Sequence, residues 1–226
     1  VNWVPLKGCG LIPPGQSYVF EFIATNPGTF WYHPQVTHGE QMSKGLCGAL
    51  IVEPASTPKT WERDYVVVIG QSNSLERSVF SALPSAGETP KTAGARAASL
   101  APVSTQPLFL VNGKSAPAIP PLELKQGERV RLRVINSAQQ ACPLVLSGHR
   151  LEVVAANGSE STEPHTSRDT VTVSPGERMD LEFTSDNPGV WSLFSMLPAQ
   201  SSNNGAFPGG IAVVVRYAEP SQPSRR

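Results

Sequence analysis

An internal repeat constrains this chain's fold more than any other feature. Four elements recur at a constant spacing of 161 positions: Pro14-Gly15 with Pro175-Gly176, Glu21-Phe22 with Glu182-Phe183, Asn26-Pro27-Gly28 with Asn187-Pro188-Gly189, and Phe30 with Trp191. A repeat of this kind indicates two related domains, and each copy is predicted to form a turn, a strand, a second turn and another strand. Both copies then run into a glycine-led apolar strand, at 48–52 and 210–215.

Period-two alternation predicts the remaining structure. It is clearest from Arg129 to Asn136, where arginines alternate with Val130, Leu132 and Val134, as in a strand with one charged face. Further short strands are predicted at 65–69, 108–111, 151–155, 170–173, 179–183 and 211–217, separated by Asn-Gly, Pro-Gly and Gly-Glu turns. No segment has the pattern of an amphipathic helix. We therefore predict an all-β, Greek-key β-sandwich.

Charge and hydropathy exclude some classes of partner. The 226 residues carry 18 basic and 18 acidic side chains, so the formal net charge is zero and nothing favours nucleic acid or an anionic membrane. No apolar run is long enough for a transmembrane segment. The odd count of three cysteines, Cys9, Cys47 and Cys142, fits no zinc spacing. A Cys9–Cys47 disulfide and buried free thiols are both compatible with the sequence.

Several motifs in order carry a family resemblance. They are Phe30-Trp31-Tyr32-His33-Pro34-Gln35, then 45–54 (GLCGALIVEP), 109–113 (FLVNG), 127–136 (GERVRLRVIN) and 148–158 (GHRLEVVAANG). Together they resemble the multicopper oxidases, whose domains are cupredoxin sandwiches. The resemblance implies that residues 1–54 are the C-terminal part of a first cupredoxin-like domain. Residues 55–217 would then form a second, complete one.

Two segments have the composition of loops, and the first domain lacks strands. Residues 81–106 are rich in Ala, Ser, Pro and Gly and are predicted to be a low-complexity surface excursion; residues 218–226 are predicted to be a disordered tail. Residues 1–54 supply too few strands for a sandwich, which would leave an uncovered edge. We expect the missing strands to come from an upstream segment or from another polypeptide, by strand complementation.

The resemblance also specifies where copper ligands should stand. The family holds a type 1 copper with two histidines and a cysteine, and a trinuclear cluster with paired histidines, because imidazole and thiolate suit copper. This chain contains only four histidines, His33, His38, His149 and His165. Ligand positions in the second domain fall on Cys142, Val145, Ser147, Phe194, Ser195, Met196 and Gln200. In three-domain members of the family the middle domain normally carries no copper, so the loss of these ligands is also what a middle domain would show. In the first domain they fall on Asn2, Val4, His33 and Gln35.

His33 is the one candidate metal ligand that the resemblance leaves, and a half-buried, hydrogen-bonded histidine is the alternative interpretation. Cys142, His149 and Met196 have atom types that suit copper, but their spacing does not predict a site. We expect backbone hydrogen bonding for His149, a solvated turn for His38 and a solvated strand face for Arg129, Arg131 and Arg133. No catalytic residue or cofactor-binding residue is predicted, because no nucleophile or phosphate-loop motif is present.

Two functions follow from this sequence. The first is a copper-depleted, non-enzymatic structural or interaction module, with no cofactor, acting as a subunit of a larger assembly with a protein partner. The second is a fragment or subunit of an active copper-dependent oxidase whose ligands, and copper, depend on segments outside this chain. The family resemblance implies an extracytoplasmic location, periplasmic or secreted, with an organellar assembly as the alternative.

Overall fold

The computed structural model of the protein describes residues 11–35, 38–56, 59–72, 107–160, 166–202 and 205–218. Several predictions lie outside these ranges: the loop at 81–106, the tail from 219 onward, Asn2 and Val4, Cys9 and His165. The described strands and helices are β1 Gly28–Tyr32, α1 His38–Ser43, β2 Gly48–Val52, β3 Arg63–Ser72, β4 Leu108–Val111, β5 Leu122–Leu124, β6 Arg129–Asn136, β7 Cys142–Leu146, β8 Leu151–Ala156, β9 Ser159–Glu160, β10 Ser167–Arg168, β11 Val171–Val173, β12 Arg178–Thr184, β13 Val190–Ser195, α2 Pro198–Ser201 and β14 Ala212–Tyr217.

Strands β3 to β14 form two facing sheets, the main sandwich. One sheet has seven strands in the order β10-β8-β12-β6-β3-β4, with β9 added against β8, and the other has five in the order β11-β7-β13-β14-β5. Pairing is antiparallel except for β3 with β6 and β5 with β14, which are parallel. The apolar side chains between the sheets form the buried core. The predicted all-β sandwich is thus confirmed.

Strand β6 shows why these residues form strands. Val130, Leu132 and Val134 point into the core and are fully buried, while the intervening arginines lie on the opposite face. Most predicted strands agree with the structure to within two residues, and only two short helices interrupt the described chain. None of the described helices is long or apolar enough to span a membrane.

Strands β1 and β2, from the first copy of the repeat, form a separate two-stranded antiparallel sheet in which Phe30 faces Leu50. This pair packs on the outer face of the seven-stranded sheet, with β1 against β12 and β6 and β2 against β3. Gly158 permits the contact. At its φ of +81°, an added Cβ would lie 2.5 Å from the Phe30 ring. The domain boundary at 54/55 stays a prediction.

Two expectations from the sequence are wrong. The strand predicted around Glu21-Phe22 of the first copy is absent, since residues 17–23 belong to none of the three sheets. Their counterpart β12 is hydrogen-bonded between β6 and β8, whereas none of the described strands pairs with residues 17–23. The solvated face expected for β6 is also wrong for two of its three arginines, because Arg133 is buried and the Arg131 side chain is 13% exposed.

Candidate functional site

Three of the family's ligand positions in the second domain, Cys142, Ser195 and Gln200, lie toward one end of the main sandwich. Ser195 ends β13 and lies opposite Leu144 of β7, two residues after Cys142, while Gln200 lies in α2. The Ser195 Oγ hydroxyl donates a 2.6 Å hydrogen bond to Gln200 Oε1, and Gln200 Nε2 donates to the Ala141 carbonyl at 2.9 Å. We call these two hydrogen-bonded residues the Ser195–Gln200 pair. Both of their side chains are buried, as is that of Cys142.

Backbone N–H groups also donate hydrogen bonds to the two residues of this pair. Leu197 N donates to Ser195 Oγ at 3.2 Å, and Ile211 N donates to the Gln200 carbonyl at 2.7 Å. The hydroxyl and amide groups are therefore committed to one another and to the backbone. Sequence reasoning located these positions through the family motif but could not show that they bond to each other.

Cys142 is a buried thiol at this end of the sandwich. Burial raises its pKa to about 12, and its Sγ lies 3.6 Å from the Gln140 carbonyl. A thiol must lose its proton to bind copper, so this environment opposes metal binding. Cys47 also carries a free thiol, half-buried, with Sγ 3.7 Å from Ser137 Oγ. Cys9 lies outside the described residues, so the Cys9–Cys47 disulfide considered from the sequence stays a prediction.

These side chains do not fit a type 1 copper. Copper of that type needs imidazole nitrogens and a thiolate, whereas the ligand positions hold a protonated thiol, a hydroxyl and a carboxamide that are already bonded. Within the described ranges, no group of three or more His, Cys, Asp or Glu side chains is placed to hold a metal ion.

His149 and Met196 do not come together with Cys142 to form a metal site. Cys142 begins β7, and His149 follows the other end of that strand. The length of β7, roughly 13 Å, therefore separates the two ends. Nδ1 of His149 lies 3.2 Å from the Ser147 carbonyl, so it carries the proton and donates, and Nε2 accepts from the Tyr217 hydroxyl at 2.7 Å. Met196 is exposed and accepts a hydrogen bond from Thr170. The expected backbone bond of His149 is confirmed.

His33 lies just after β1 and is half-buried. Its Nδ1 donates to the Pro34 carbonyl at 3.1 Å, and its ring lies 4.2 Å from that of Trp31. Gln35, at the position of the family's second histidine, is exposed. The environment matches the hydrogen-bonded interpretation, and whether His33 binds metal stays a prediction. His38 begins α1 instead of lying in a turn.

A second cluster, missed from the sequence, lies where β1 meets the main sandwich. We call it the arginine face: Arg129, Arg131 and Arg133 of β6, Asp180 and Glu182 of β12, and Asp64 of β3. Arg133 binds both carboxylate oxygens of Asp64, at 2.8 and 2.9 Å. Arg131 Nη2 lies 2.6 Å from Glu182 Oε1 and its guanidinium stacks 3.5 Å above the Trp61 ring. Arg129 also donates to Glu182.

The arginine face receives the first copy of the repeat through Thr29. Its Oγ1 donates to Asp180 Oδ1 at 2.6 Å and accepts from Arg133 Nη1 at 3.1 Å. Burial raises the pKa of the Asp180 carboxyl, partly offset by the Thr29 hydrogen bond and by the charges of Arg133 and Arg131. A sequence signal existed. Asp180 and Glu182 alternate on β12 with the same period as the arginines on β6, which predicts cross-strand ion pairs.

Comparison with known proteins agrees with this fold. Family models described as multicopper oxidase match residues 84–220 and 7–57. The chain therefore belongs to the multicopper oxidase family. It is 26% identical over 211 residues to the multicopper oxidase MmcO of Mycobacterium tuberculosis, a match that covers 84% of this chain and 40% of that protein. It is 28% identical over 222 residues to laccase-13 of Arabidopsis thaliana, covering 93% of this chain and 37% of the laccase.

Solved structures show the same relationship. The blue copper oxidase from Nitrosomonas europaea superposes with a TM-score of 0.75 at 28% identity, covering 95% of this chain and 63% of that one. The copper nitrite reductase from the same organism, at 21% identity and a TM-score of 0.62, shares the fold. The chain thus spans about two fifths of the length of the first curated relatives it matches.

Proposed function

We propose that the main sandwich is a copper-free structural module that uses its arginine face to hold the first copy of the repeat. The observation that carries this proposal is the Ser195–Gln200 pair. At the positions where the family places type 1 ligands, two polar side chains satisfy each other at 2.6 Å inside the core. A buried polar group that is fully bonded stabilises the fold without a ligand.

The arginine face supports the second half of the proposal. Buried ion pairs are retained where they specify one arrangement, because unpaired charges there would be strongly destabilising. Thr29 joins this network, so docking β1 satisfies both Asp180 and Arg133. In this function the sandwich supplies a fixed, charged surface instead of a redox centre, within a larger extracytoplasmic assembly that includes a protein partner.

Copper binding by matched variants tests the proposal. The wild-type chain and the triple variant Cys142→His, Ser195→Cys, Gln200→His are incubated with copper, dialysed and analysed by elemental mass spectrometry and visible absorption. We expect no stoichiometric copper in the wild type. The variant, which has two imidazoles and a thiol at the same positions, should gain copper and an intense visible band from thiolate-to-copper charge transfer.

Two results would count against it. Stoichiometric copper with a visible band in the wild type would give the sandwich a redox function. A folded variant that gains no copper would mean that these positions do not converge as ligands, and the argument from the Ser195–Gln200 pair would fall. The variant's fold is checked by circular dichroism.

His33 and the relatives favour a second candidate, part of an active oxidase whose other copper ligands lie outside this chain. His33 stands in the Trp31-Tyr32-His33 motif, and MmcO is named as a multicopper oxidase. This candidate predicts that His33→Ala lowers the copper content of the protein isolated from its native source. His149→Ala, which alters a histidine bonded to Ser147 and Tyr217, is the matched control.

A further inference from the structure

Two Asn-Gly turns of the main sandwich have nearly the same backbone conformation. Asn112-Gly113 follows β4 with φ of 50° and 76°, and Asn157-Gly158 joins β8 to β9 with φ of 52° and 81°. Asparagine followed by glycine at positive φ is the usual two-residue hairpin turn. Both asparagines are exposed, and a third Asn-Gly pair, at 204–205, begins at a residue outside the described ranges. The two described turns differ in how the asparagine side chain is held.

The Asn112 amide is fixed at both of its polar atoms. Its Oδ1 accepts a hydrogen bond from Val68 N at 2.9 Å, and its Nδ2 donates to the Val66 carbonyl at 2.8 Å. Both partners are backbone groups of β3, so the side chain is tied to the neighbouring strand. The amide carbon cannot turn toward Gly113 N unless both hydrogen bonds break.

The Asn157 amide is held through its oxygen alone. Oδ1 accepts from Arg178 N at 3.3 Å, whereas Nδ2 donates to no group of the described chain. The N–H of Gly158 also has no acceptor among the described residues. This turn therefore leaves free both the nitrogen that could attack the amide carbon and the nitrogen that would leave it. Since the φ angles of the two turns are nearly equal, the backbone rotation needed for the attack costs a similar amount in each.

We propose that Asn157 is a site of spontaneous deamidation, which places aspartate or isoaspartate in the turn between β8 and β9. Gly158 N loses its proton to hydroxide and attacks Asn157 Cγ. The Cγ–Nδ2 bond breaks, and Nδ2 leaves as ammonia after taking a proton from water. Water then opens the resulting succinimide at either carbonyl. Arg178 N–H donates to the oxygen that becomes negative during the attack, which stabilises that charge.

Isoaspartate at this turn would disturb the contact with the first copy of the repeat, because its main chain is longer by one methylene. The turn packs against β1 without spare room. A Cβ added at Gly158 would lie 2.5 Å from the Phe30 ring, and one added at Gly28 would lie 2.8 Å from the Gly158 carbonyl oxygen. The modification therefore loosens β1 and β2 from the main sandwich. The chemical step is independent of the proposed function, whereas this consequence rests on the sandwich holding the first copy.

Incubation of the full chain at mildly alkaline pH tests the chemical step. Peptide mass spectrometry follows the conversion of each amide to a carboxylate, and chromatography separates the isoaspartyl peptide from its aspartyl isomer. We expect Asn157 to convert at least about fivefold faster than Asn112, the factor that one additional hydrogen bond at Asn112 supplies. In concentrated guanidinium chloride the two rates should be nearly equal, because neither amide is then held.

Hydrogen exchange tests the consequence for the first copy. The isoaspartyl fraction, separated by ion exchange, is compared with the unmodified protein and with Asn157→Asp, which gains the same charge without lengthening the main chain. We expect faster amide exchange at 28–32 and 48–52 in the isoaspartyl fraction alone. Asn157→Asp should exchange like the wild type in both segments.

Three outcomes would overturn the deamidation site: no conversion of Asn157, conversion of Asn112 at an equal rate in the folded protein, or an unchanged rate ratio in guanidinium chloride. The loosening of β1 is wrong if the isoaspartyl fraction exchanges like the wild type at 28–32, or if Asn157→Asp exchanges as fast as that fraction. Neither measurement involves copper, so these tests and the copper experiment can fail independently.

Discussion

Thr29 Oγ1 donates a hydrogen bond of 2.6 Å to Asp180 Oδ1, across a sequence separation of 151 residues. Both residues are buried, and the same hydroxyl accepts from Arg133 Nη1 at 3.1 Å. One small side chain of the first copy therefore satisfies a carboxylate and a guanidinium of the main sandwich. Since a buried charge without a partner is strongly destabilising, this contact couples the position of β1 to the stability of the whole structure.

Removing that hydroxyl should destabilise the protein. Thr29→Val keeps the side-chain volume but leaves Asp180 Oδ1 without its closest donor, so we expect a loss of about 1–3 kcal/mol in the free energy of unfolding. Urea denaturation measures it. Thr172→Val, the same change at an exposed position of β11, should have almost no effect. Equal stabilities of the two variants would mean that the Thr29–Asp180 hydrogen bond contributes nothing.

The pH dependence of stability should report the burial of Asp180. Burial raises the pKa of this carboxyl, so the folded state binds the proton more tightly than the unfolded chain. Its stabilising contribution is complete below the unfolded pKa of about 4 and is lost as pH rises through the folded value. Urea denaturation measures the difference in free energy of unfolding between the wild type and Asp180→Asn. We expect this difference to shrink as pH rises from about 3 through the folded-state pKa of Asp180.

The pKa of Glu128 is shifted in the opposite direction from that of Asp180, so Glu128 provides an internal comparison. The Arg63 hydrogen bond lowers the pKa of the Glu128 carboxyl, so its contribution is present above the unfolded pKa and is lost as pH falls through the folded value. The difference between wild type and Glu128→Gln should therefore grow with pH over the acid range. If both differences change in the same direction, the assignment of the raised pKa to Asp180 is wrong.

A methyl group at position 158 should destabilise the protein, because Gly158 packs closely against Phe30. Gly158→Ala adds a Cβ 2.5 Å from the Phe30 ring at a φ of +81°, so it suffers both a clash and backbone strain. Gly113→Ala at a φ of +76° has open space around the new atom and suffers the strain alone. We expect a loss of about 1 kcal/mol for Gly113→Ala and about 1–3 kcal/mol more for Gly158→Ala, by urea denaturation. Equal losses would mean that β1 moves away without an energetic penalty.

Thiol labelling of Cys142 should differ between the folded and the unfolded protein. With a pKa of about 12, its thiolate is about one part in ten thousand at pH 8, and the side chain is buried. We expect iodoacetamide to leave Cys142 unmodified in the folded protein and to modify it in concentrated guanidinium chloride, as read by peptide mass spectrometry. Rapid modification of Cys142 in the folded protein would contradict the closed core described around the Ser195–Gln200 pair.

Local patterns predicted much of the fold. The alternation in Arg129–Asn136 predicted the full extent of β6, and Leu108–Val111 was predicted residue for residue. The family motif also aligned Ser195 and Gln200 with two ligand positions, which stays a prediction from the resemblance. What the pattern could not predict was the bond between them, because it depends on the turn from β13 into α2 that brings Gln200 back over Ser195.

The sequence by itself determined the repeat, most strand positions and the all-β class, because strand formation follows a period of two within a single segment. The tertiary structure decided which strands are covered. Arg133 of β6 is buried because acidic residues of β12 and β3 and the hydroxyl of Thr29 converge on it. Residues 17–23 carry nearly the same pattern as β12 but remain exposed, since no described strand lies beside them. Burial depends on neighbours distant in sequence, and a local pattern does not contain them.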